Sequence, residues 1–180
     1  MALSATTKLL MAALLASAAA SATARSAADF FTEAPQAVLP LLDRNARLDM
    51  LDYYRHKLPT TTSNLFNGAA RVLEEHDNSI DVQVSRDAGI QFALVPVKND
   101  TVIAVIETVL TPVADSGVTF YRTDWTPLKN TPALPSATAF FPKEKRKEVK
   151  DTDMPEPLYM RISFDPARGL FRFTNTYGAN

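Results

Sequence analysis

Four strand-like segments follow one another between residues 79 and 128, and they constrain the fold more than any other feature of this chain. Apolar and polar residues alternate along 80–85 and again along 90–94. A more continuous apolar run covers 101–110, and a fourth segment covers 118–125. Short clusters of Asn, Asp, Gly and Ser separate the segments. Alternation with a period of two, bounded by turn residues, is typical of half-buried antiparallel strands.

Further strands are predicted on both sides of this stretch. Ala70–Glu75 is expected to be the first strand, and the polar connector 60–64 is left open as strand or loop. Leu158–Asp165 and Leu170–Tyr177 alternate around the turn Pro166-Ala167-Arg168-Gly169, which predicts a C-terminal hairpin. The chain then has about seven strands, joined by links short enough for antiparallel pairing.

Two helices are predicted near the N-terminus, after a lead-in over Arg25–Glu33. Pro35 suits the first turn of a helix, but Pro40 makes the segment to Leu42 short or irregular. Asn45–Leu58 carries its apolar residues on one face and is the better helix, capped by Asp43 or Asn45 and ended by Pro59. The predicted fold class is α+β, a curved antiparallel sheet with N-terminal helices on one face.

The first 24 residues predict export. Lys8 gives a positive start, an apolar run covers residues 9–20, and Ala22-Thr23-Ala24 is a small-x-small cleavage site. This pattern is that of a secretory signal peptide, and the run is too short for a spanning helix. We therefore expect a single domain over residues 25–180, periplasmic or secreted, with no transmembrane segment in the mature chain.

Composition excludes several classes of protein. The chain has no cysteine, so it has no disulfide, no thiolate metal site and no N-terminal Cys for a lipid anchor. Nineteen Lys and Arg against twenty Asp and Glu leave a net charge of −1, which argues against nucleic acid as a partner. With five Gly in the whole chain, no phosphate-cradling loop or dinucleotide fingerprint is present, and no cofactor is expected.

Residues 130–157 differ in character from the rest and are predicted to be a Pro-rich, charged insertion. It contains five prolines and the mixed-charge run Lys143–Lys150, with one short helix expected at 142–149. A mixed-sign run this short is typical of a solvated surface segment, with contact to a partner or anionic lipid as the alternative. The apolar stretch 137–141 is expected to pack onto the body of the domain.

Two spaced blocks of sequence resemble a known family. The first runs from Phe30-Phe31-Thr32-Glu33-x-Pro35 through Leu41-Leu42 to Asn45-x-Arg47-Leu48-Asp49-Met50-Leu51-Asp52-Tyr53, and the second reads Ile103-x-Val105-Ile106-x-Thr108-Val109, Pro112, Asp115-Ser116, Phe120-Tyr121, Trp125 and Leu128. In this order, behind a signal peptide, they resemble the small exported proteins of Bacteroidales grouped as domain of unknown function 3256. The resemblance implies an envelope or secreted protein and supplies no activity or site residue.

The only local cluster of ionisable residue types is Arg47, Asp49, Asp52 and His56. A catalytic or metal site would need a further His, Asp or Glu from elsewhere, and the only other histidine is His76, at a predicted turn. Spacings of three and four residues are ordinary for a solvated helix face. We expect a structural role here, with Arg47 or Asp49 tying the helix to sheet edges.

Two other patterns carry weaker functional hypotheses. Ser116 lies in an Asp-Ser-Gly sequence without a nucleophile-elbow motif, so Asp115 is expected to cap a tight turn before Val118. Trp125, Phe120 and Tyr121 could form an aromatic ligand platform, although burial under the helices is the commoner role of large aromatic residues.

Together these observations predict an exported, non-enzymatic binding or interaction protein of the bacterial envelope. A sheet with one face under helices leaves a second face or groove for a peptide, glycan or lipid. The alternative is a small envelope hydrolase acting on glycans or peptides through acidic residues, which requires two carboxylates facing one cleft. No catalytic, metal or cofactor-binding residue is assigned.

Overall fold

A six-stranded antiparallel sheet forms the centre of the computed structural model, which describes residues 25–98, 100–129, 131–135, 137–140 and 159–176. The strands lie side by side in chain order, so each pairs with the one before it. Their bounds are β1 Thr62–Ser63, β2 Ala69–His76, β3 Ser79–Ser85, β4 Ala88–Val97, β5 Asp100–Val109 and β6 Asp115–Arg122. This meander confirms the predicted α+β class and its antiparallel sheet.

Two helices lie on one face of the sheet. Helix α1, Ala27–Glu33, begins with a capping box in which Ser26 and Asp29 bond each other's backbone N–H groups. Helix α2, Arg44–Arg55, begins where the Asp43 carboxylate accepts a 2.8 Å bond from the Ala46 N–H. The prediction of α2 and of its Asp43 cap is confirmed, but the helix ends at Arg55 rather than at Leu58.

The position predicted for the first helix is wrong. Residues 25–33 were expected to be a lead-in, but α1 occupies Ala27–Glu33, and the segment 36–41 after Pro35 forms turns. The Val38 and Leu39 N–H groups both bond the Pro35 carbonyl, and the chain does not continue as a helix through Pro40.

The helix face of the sheet carries the larger core. Phe31 packs edge-to-face on Phe92 with ring centroids 5.7 Å apart, and both side chains are fully buried. The face is formed by the alternating inward residues of the strands, chiefly Val72, Ile80, Val82, Val84, Phe92, Ile103 and Val105. The core is completed by residues of α2 and of the connection between the helices, namely Met50, Leu51, Leu39 and Leu42.

A C-terminal hairpin covers the opposite face, which we call the hairpin face. Strands β7, Met160–Asp165, and β8, Leu170–Asn175, form a separate two-stranded sheet, which confirms the predicted hairpin. Its inward side chains Met160, Ile162 and Phe164 pack on Ala93, Ala104, Ile106 and Phe120. The described residues thus contain eight strands rather than about seven, the additional one being the two-residue β1 in the connector left open as strand or loop.

Strand β6 begins earlier than the sequence predicts. The residues Ala114-Asp115-Ser116-Gly117 were expected to form a turn, but Asp115–Gly117 pair with Val109–Glu107 of β5. The Thr108 and Ser116 hydroxyls lie 2.8 Å apart across the two strands. The turn lies instead at residues 110–114, which include the cis Thr111–Pro112 bond.

Part of the predicted insertion is described. Ala137–Phe140 forms one turn of 3-10 helix, and the partly buried Phe140 packs against the hairpin-face core, as expected for this apolar stretch. The signal peptide over 1–24, the helix at 142–149, the run Lys143–Lys150 and Tyr177 lie outside the described residues. No helix in the described part of the chain is long and apolar enough to cross a membrane.

Candidate functional site

The ionisable cluster on α2 does not form a catalytic group. Asp49 and Asp52 are both exposed, and Asp52 pairs with His56 one helical turn away, at 3.0 Å. His76 lies in the sheet at the end of β2, where its Nε2 is 3.4 Å from Glu74. Among the described residues, no three His, Asp or Glu side chains converge into a group that could hold a metal ion.

Arg47 has a structural role, but its partners differ from the sheet edges that the sequence suggested. Its side chain is buried and donates to the carbonyls of Phe31 (3.0 Å) and Ala34 (2.6 Å), which end α1, and to that of Asp43 (3.1 Å). The Phe31 and Ala34 carbonyls lie at the end of α1, where donors within the helix run out, so the guanidinium satisfies them, whereas the Asp43 carbonyl also accepts the Arg47 N–H at 3.1 Å. Arg47 therefore joins α2 to α1, whereas Asp49 faces solvent. Because the guanidinium of Arg47 is buried, its pKa is lowered from its usual value.

Asp115 and Ser116 do not belong to a turn or to a nucleophile site. The Asp115 carboxylate accepts a 3.1 Å bond from the Met160 N–H and so holds the start of β7, and Ser116 bonds the Thr108 hydroxyl. The expectation that Asp115 caps a turn is therefore wrong, because the strand begins at that residue and its side chain faces the hairpin.

The aromatic platform is divided between the two faces of the sheet. Tyr121 and Trp125 pack on the helix-face core, where Trp125 lies edge-on to Phe30 and Phe92 at 6.2 and 6.1 Å. Phe120 points to the hairpin face and contacts Phe171 at 6.0 Å. The three residues therefore cannot form one platform, and packing is the role of Tyr121 and Trp125.

The hairpin is held to the sheet by polar side chains as well as by its apolar face. The Gln91 amide accepts from the Phe164 N–H at 2.7 Å and donates to the Phe164 carbonyl at 3.0 Å, as a neighbouring strand would. Asn78 donates to the Pro166 carbonyl at 3.0 Å. These bonds fix β7 across the centre of the hairpin face, which the sequence had suggested would be open.

Beside the hairpin, the half-buried Asp81 lines a groove together with Arg161 and Ser163 of β7. Burial, followed by the nearby Glu74 carboxylate, raises the pKa of Asp81 to about 6. His76 and Arg161 and a hydrogen bond with Gln91 oppose this change. The arrangement places a titratable carboxyl at the boundary between the sheet and the hairpin.

On the other side of the hairpin, the sheet leaves an apolar cavity of about 310 Å³. Phe171 and Phe173 of β8 form one wall, and Val118 and Phe120 of β6 form another. All the lining residues that the structure describes are apolar: Val95, Val97, Val102, Val118, Phe120, Leu128, Pro132, Ala133, Leu134, Phe171 and Phe173. We call this space the hairpin-face cavity.

A comparable depression of about 330 Å³ on the helix face differs in its chemistry. It lies between the segment Leu39–Leu42 and strands β4 to β6, and its lining includes the acidic residue Glu107. An apolar ligand would have to enter beside this carboxylate, which prefers water or a polar partner. The hairpin-face cavity is therefore the better candidate for an apolar ligand.

Sequence reasoning missed this cavity because it arises from two distant segments. The alternation of Phe171 and Phe173 indicates an inward side of β8 but does not indicate which surface that side meets. The sequence does contain one signal that a further layer covers this face: the small residues Ala93 and Ala104. They lie opposite each other on β4 and β5 and allow that layer to approach the sheet closely.

Comparisons with known proteins agree with the fold and assign no activity. A family model described as "Protein of unknown function (DUF3256)" matches residues 19–178, which confirms the resemblance of the two sequence blocks. A similar solved structure, "Structure of a domain of an uncharacterized protein from Porphyromonas gingivalis W83", is 25% identical with a TM-score of 0.60. The similarity covers 83% of this chain and 79% of that one. No curated protein matches the sequence.

Proposed function

We propose that this chain, which belongs to the DUF3256 family of proteins of unknown function, is an exported, non-enzymatic protein of the bacterial envelope that binds an apolar ligand. The hairpin-face cavity carries the proposal. Ligand sites are typically concave and mostly apolar, with volumes of about 300–1,000 Å³, and this cavity lies at the lower end of that range.

The chemistry of the lining defines the ligand class. Because every lining side chain in the described part of the chain is apolar, a sugar placed there would lose its hydrogen bonds with water without gaining partners among them. A hydrocarbon group loses no such bonds. The geometry therefore favours an acyl chain or an apolar peptide side chain over a glycan.

The size of the cavity limits that group. An apolar cavity of roughly 150 Å³ accepts benzene, so a volume about twice as large suits a short alkyl chain or a bicyclic aromatic group. The ligand would then be anchored by one apolar part, with the remainder outside the cavity.

The hydrolase alternative has no comparable support. Asp49 and Asp52 share the exposed side of α2, whereas glycoside hydrolysis needs two carboxyl groups on opposite sides of a bound substrate.

Export is supported by the pattern of residues 1–24. Expression of the full chain in a Bacteroidales host tests export. The expected product is in the envelope or medium and begins at Arg25 by mass spectrometry; a cytoplasmic product that retains residues 1–24 would contradict it.

Binding is tested with N-phenyl-1-naphthylamine, a neutral dye that fluoresces in apolar surroundings. Val102→Phe adds a ring to the cavity lining, and Val109→Phe makes the same change at the other end of β5, in the lining of the helix-face depression. We expect saturable binding that Val102→Phe weakens at least tenfold and Val109→Phe leaves unchanged. Decanoate and a Leu- and Phe-rich hexapeptide, used as competitors, then distinguish an acyl from a peptide ligand.

Two outcomes would contradict the proposal. One is the absence of saturable dye binding to the folded protein. The other is an equal loss of binding in both variants, which would place the dye elsewhere or attribute the loss to general destabilisation.

A further inference from the structure

We propose that the outer edge of β8 binds an extended peptide as a third strand beside the hairpin, with apolar side chains of the peptide in the hairpin-face cavity. This inference rests on the proposed function and narrows its ligand from any apolar group to a peptide. It is supported by the unpaired backbone groups of β8, by the cavity beside them and by the charge of the hairpin's outer surface.

Strand β8 is an edge strand. It pairs with β7 in an unbroken register from Leu170 to Asn175, and no strand in the described part of the chain pairs with its other edge. A free edge presents backbone groups to which another chain can bond, and natural proteins often protect such edges with proline or a bulge. The six residues of β8 contain neither.

The pairing within the hairpin shows which backbone groups of β8 are free. The Thr176 N–H bonds the Tyr159 carbonyl at 3.1 Å, so the hydrogen-bonded pairs fall at odd-numbered residues of β7 and even-numbered residues of β8. Phe171 and Phe173 therefore direct their N–H and C=O groups away from β7. Among the described residues, no side chain or loop bonds these four groups.

The outer edge of β7 is different, because side chains of the sheet satisfy it. Gln91 bonds both backbone groups of Phe164, at 2.7 and 3.0 Å, and Asp115 accepts the Met160 N–H at 3.1 Å. These bonds leave little of β7 open to a further strand. Peptide addition is therefore expected on the β8 side of the hairpin.

The hairpin-face cavity lies on the same side. The side chains of Phe171 and Phe173 form one of its walls, so the free backbone groups and the cavity belong to the same two residues. In antiparallel pairing, residues directly opposite each other place their side chains on the same face. Peptide residues opposite Phe171 and Phe173 would thus direct their side chains into the cavity. Roughly 150 Å³ accepts benzene, so about 310 Å³ has room for two side chains of that size.

Charge selects the peptide residue between these two apolar positions. Arg172 lies between the two phenylalanines, with its side chain exposed on the outer surface of the hairpin. Arg168 and Arg172 share a single carboxylate, that of Asp165, at 3.9 and 4.0 Å, so this pair of arginines keeps a net positive charge. An acidic residue opposite Arg172 would form a favourable cross-strand pair. The expected peptide pattern is therefore apolar, acidic, apolar.

A second copy of this chain fits the edge less well. Two β8 strands that paired Phe171 with Phe173 would place Arg172 of each copy directly opposite Arg172 of the other. Like charges in that position are destabilising. An acidic peptide lacks this repulsion.

The test is fluorescence polarisation with a labelled peptide, Thr-Leu-Glu-Leu-Thr, and two control peptides. The first control carries an N-methyl group on both leucines, so it keeps every side chain but cannot donate to the Phe171 and Phe173 carbonyls. The second control, Thr-Leu-Leu-Glu-Thr, has the same composition but places its leucines on opposite faces. Arg172→Glu is compared with Arg168→Glu, since Arg168 also lies near Asp165 but belongs to the turn.

We expect saturable binding of the first peptide and about tenfold weaker binding of both controls. Arg172→Glu should weaken binding about fivefold, and Arg168→Glu should leave it unchanged. Amide hydrogen exchange followed by NMR should show that the peptide protects the Phe171 and Phe173 N–H groups. The Arg172 N–H, which already faces β7, should gain little protection.

Equal binding of the N-methylated peptide would overturn the proposal, because side chains alone would then account for the affinity. Equal affinity of Arg172→Glu and Arg168→Glu would overturn the acidic position. Protection of Phe171 and Phe173 at high protein concentration without peptide would identify a second copy as the occupant instead. Binding of N-phenyl-1-naphthylamine without binding of any peptide would overturn this inference alone, whereas the loss of both would also remove the proposed function.

Discussion

Asp81→Asn is expected to stabilise the protein at neutral pH. The carboxyl of Asp81 is half-buried near Glu74 at the boundary between the sheet and the hairpin, and burial is the largest cause of its raised pKa, about 6. Above pH 6 the folded protein therefore holds a carboxylate that would be better solvated in the unfolded chain. Asparagine has nearly the same shape and no charge, so it removes this cost.

The sign and size follow from proton linkage. A carboxyl with a pKa of about 6 in the folded state and 3.8 when unfolded binds more protons when folded, so stability falls as the pH rises from about 4 to about 6 and stays lower above that. A gap of about 2 between the pKa values corresponds to at most about 3 kcal/mol. Solvent access to the side chain reduces this, and we expect about 1–2 kcal/mol.

The assay is urea unfolding of the parent and Asp81→Asn at pH 4.5 and pH 8. Asp81→Asn should be more stable than the parent by about 1–2 kcal/mol at pH 8, with most of that difference gone at pH 4.5. Asp49→Asn, on the exposed side of α2, is the control and should show only a small change at either pH. A destabilised Asp81→Asn at pH 8, or a difference that does not depend on pH, would refute the reasoning.

Three further substitutions test bonds that position the layers. Arg47→Met should lower the free energy of unfolding by about 2–4 kcal/mol in urea, because the carbonyls that end α1 lose a buried donor. An unchanged free energy would show that water replaces the guanidinium as the donor. Asn64→Ala should cost about 1–3 kcal/mol, since the side chain bonds the Val84 carbonyl at 2.7 Å and two N–H groups of its own loop. Gln91→Leu should lower hydrogen-exchange protection in β7 more than in β3, because it removes both bonds to Phe164; equal loss in both strands would contradict that role.

Local patterns in the sequence predict most of the individual elements. The alternation along β3 and β4, the apolar run of β5 and the Asp43 cap of α2 are each set by neighbouring residues, and each is found where expected. Helix α1 was missed although Ser26 and Asp29 form a readable capping signal. Ala27, Ala28, Phe30, Phe31 and Thr32 are all buried, so α1 shows no polar stripe that would reveal its period.

The remaining differences between the predicted and the observed structure depend on contacts between distant segments. Asp115-Ser116-Gly117 has the composition of a turn, yet pairing with β5 makes it a strand, because the ladder bonds and the Thr108–Ser116 contact outweigh local preference. The hairpin is evident from its own alternation, but only the folded sheet shows which face it covers. The hairpin-face cavity is therefore absent from sequence reasoning, because it lies between the hairpin and the sheet.

The central claim, that an apolar ligand enters the hairpin-face cavity, is tested most directly by methyl-resolved NMR. The spectrum of valine-labelled protein is compared with and without N-phenyl-1-naphthylamine. The account predicts that the largest shifts occur at Val95, Val102 and Val118, which line the cavity. Shifts confined to Val84 and Val109, which line the helix-face depression, or no shifts at a saturating dye concentration, would contradict it.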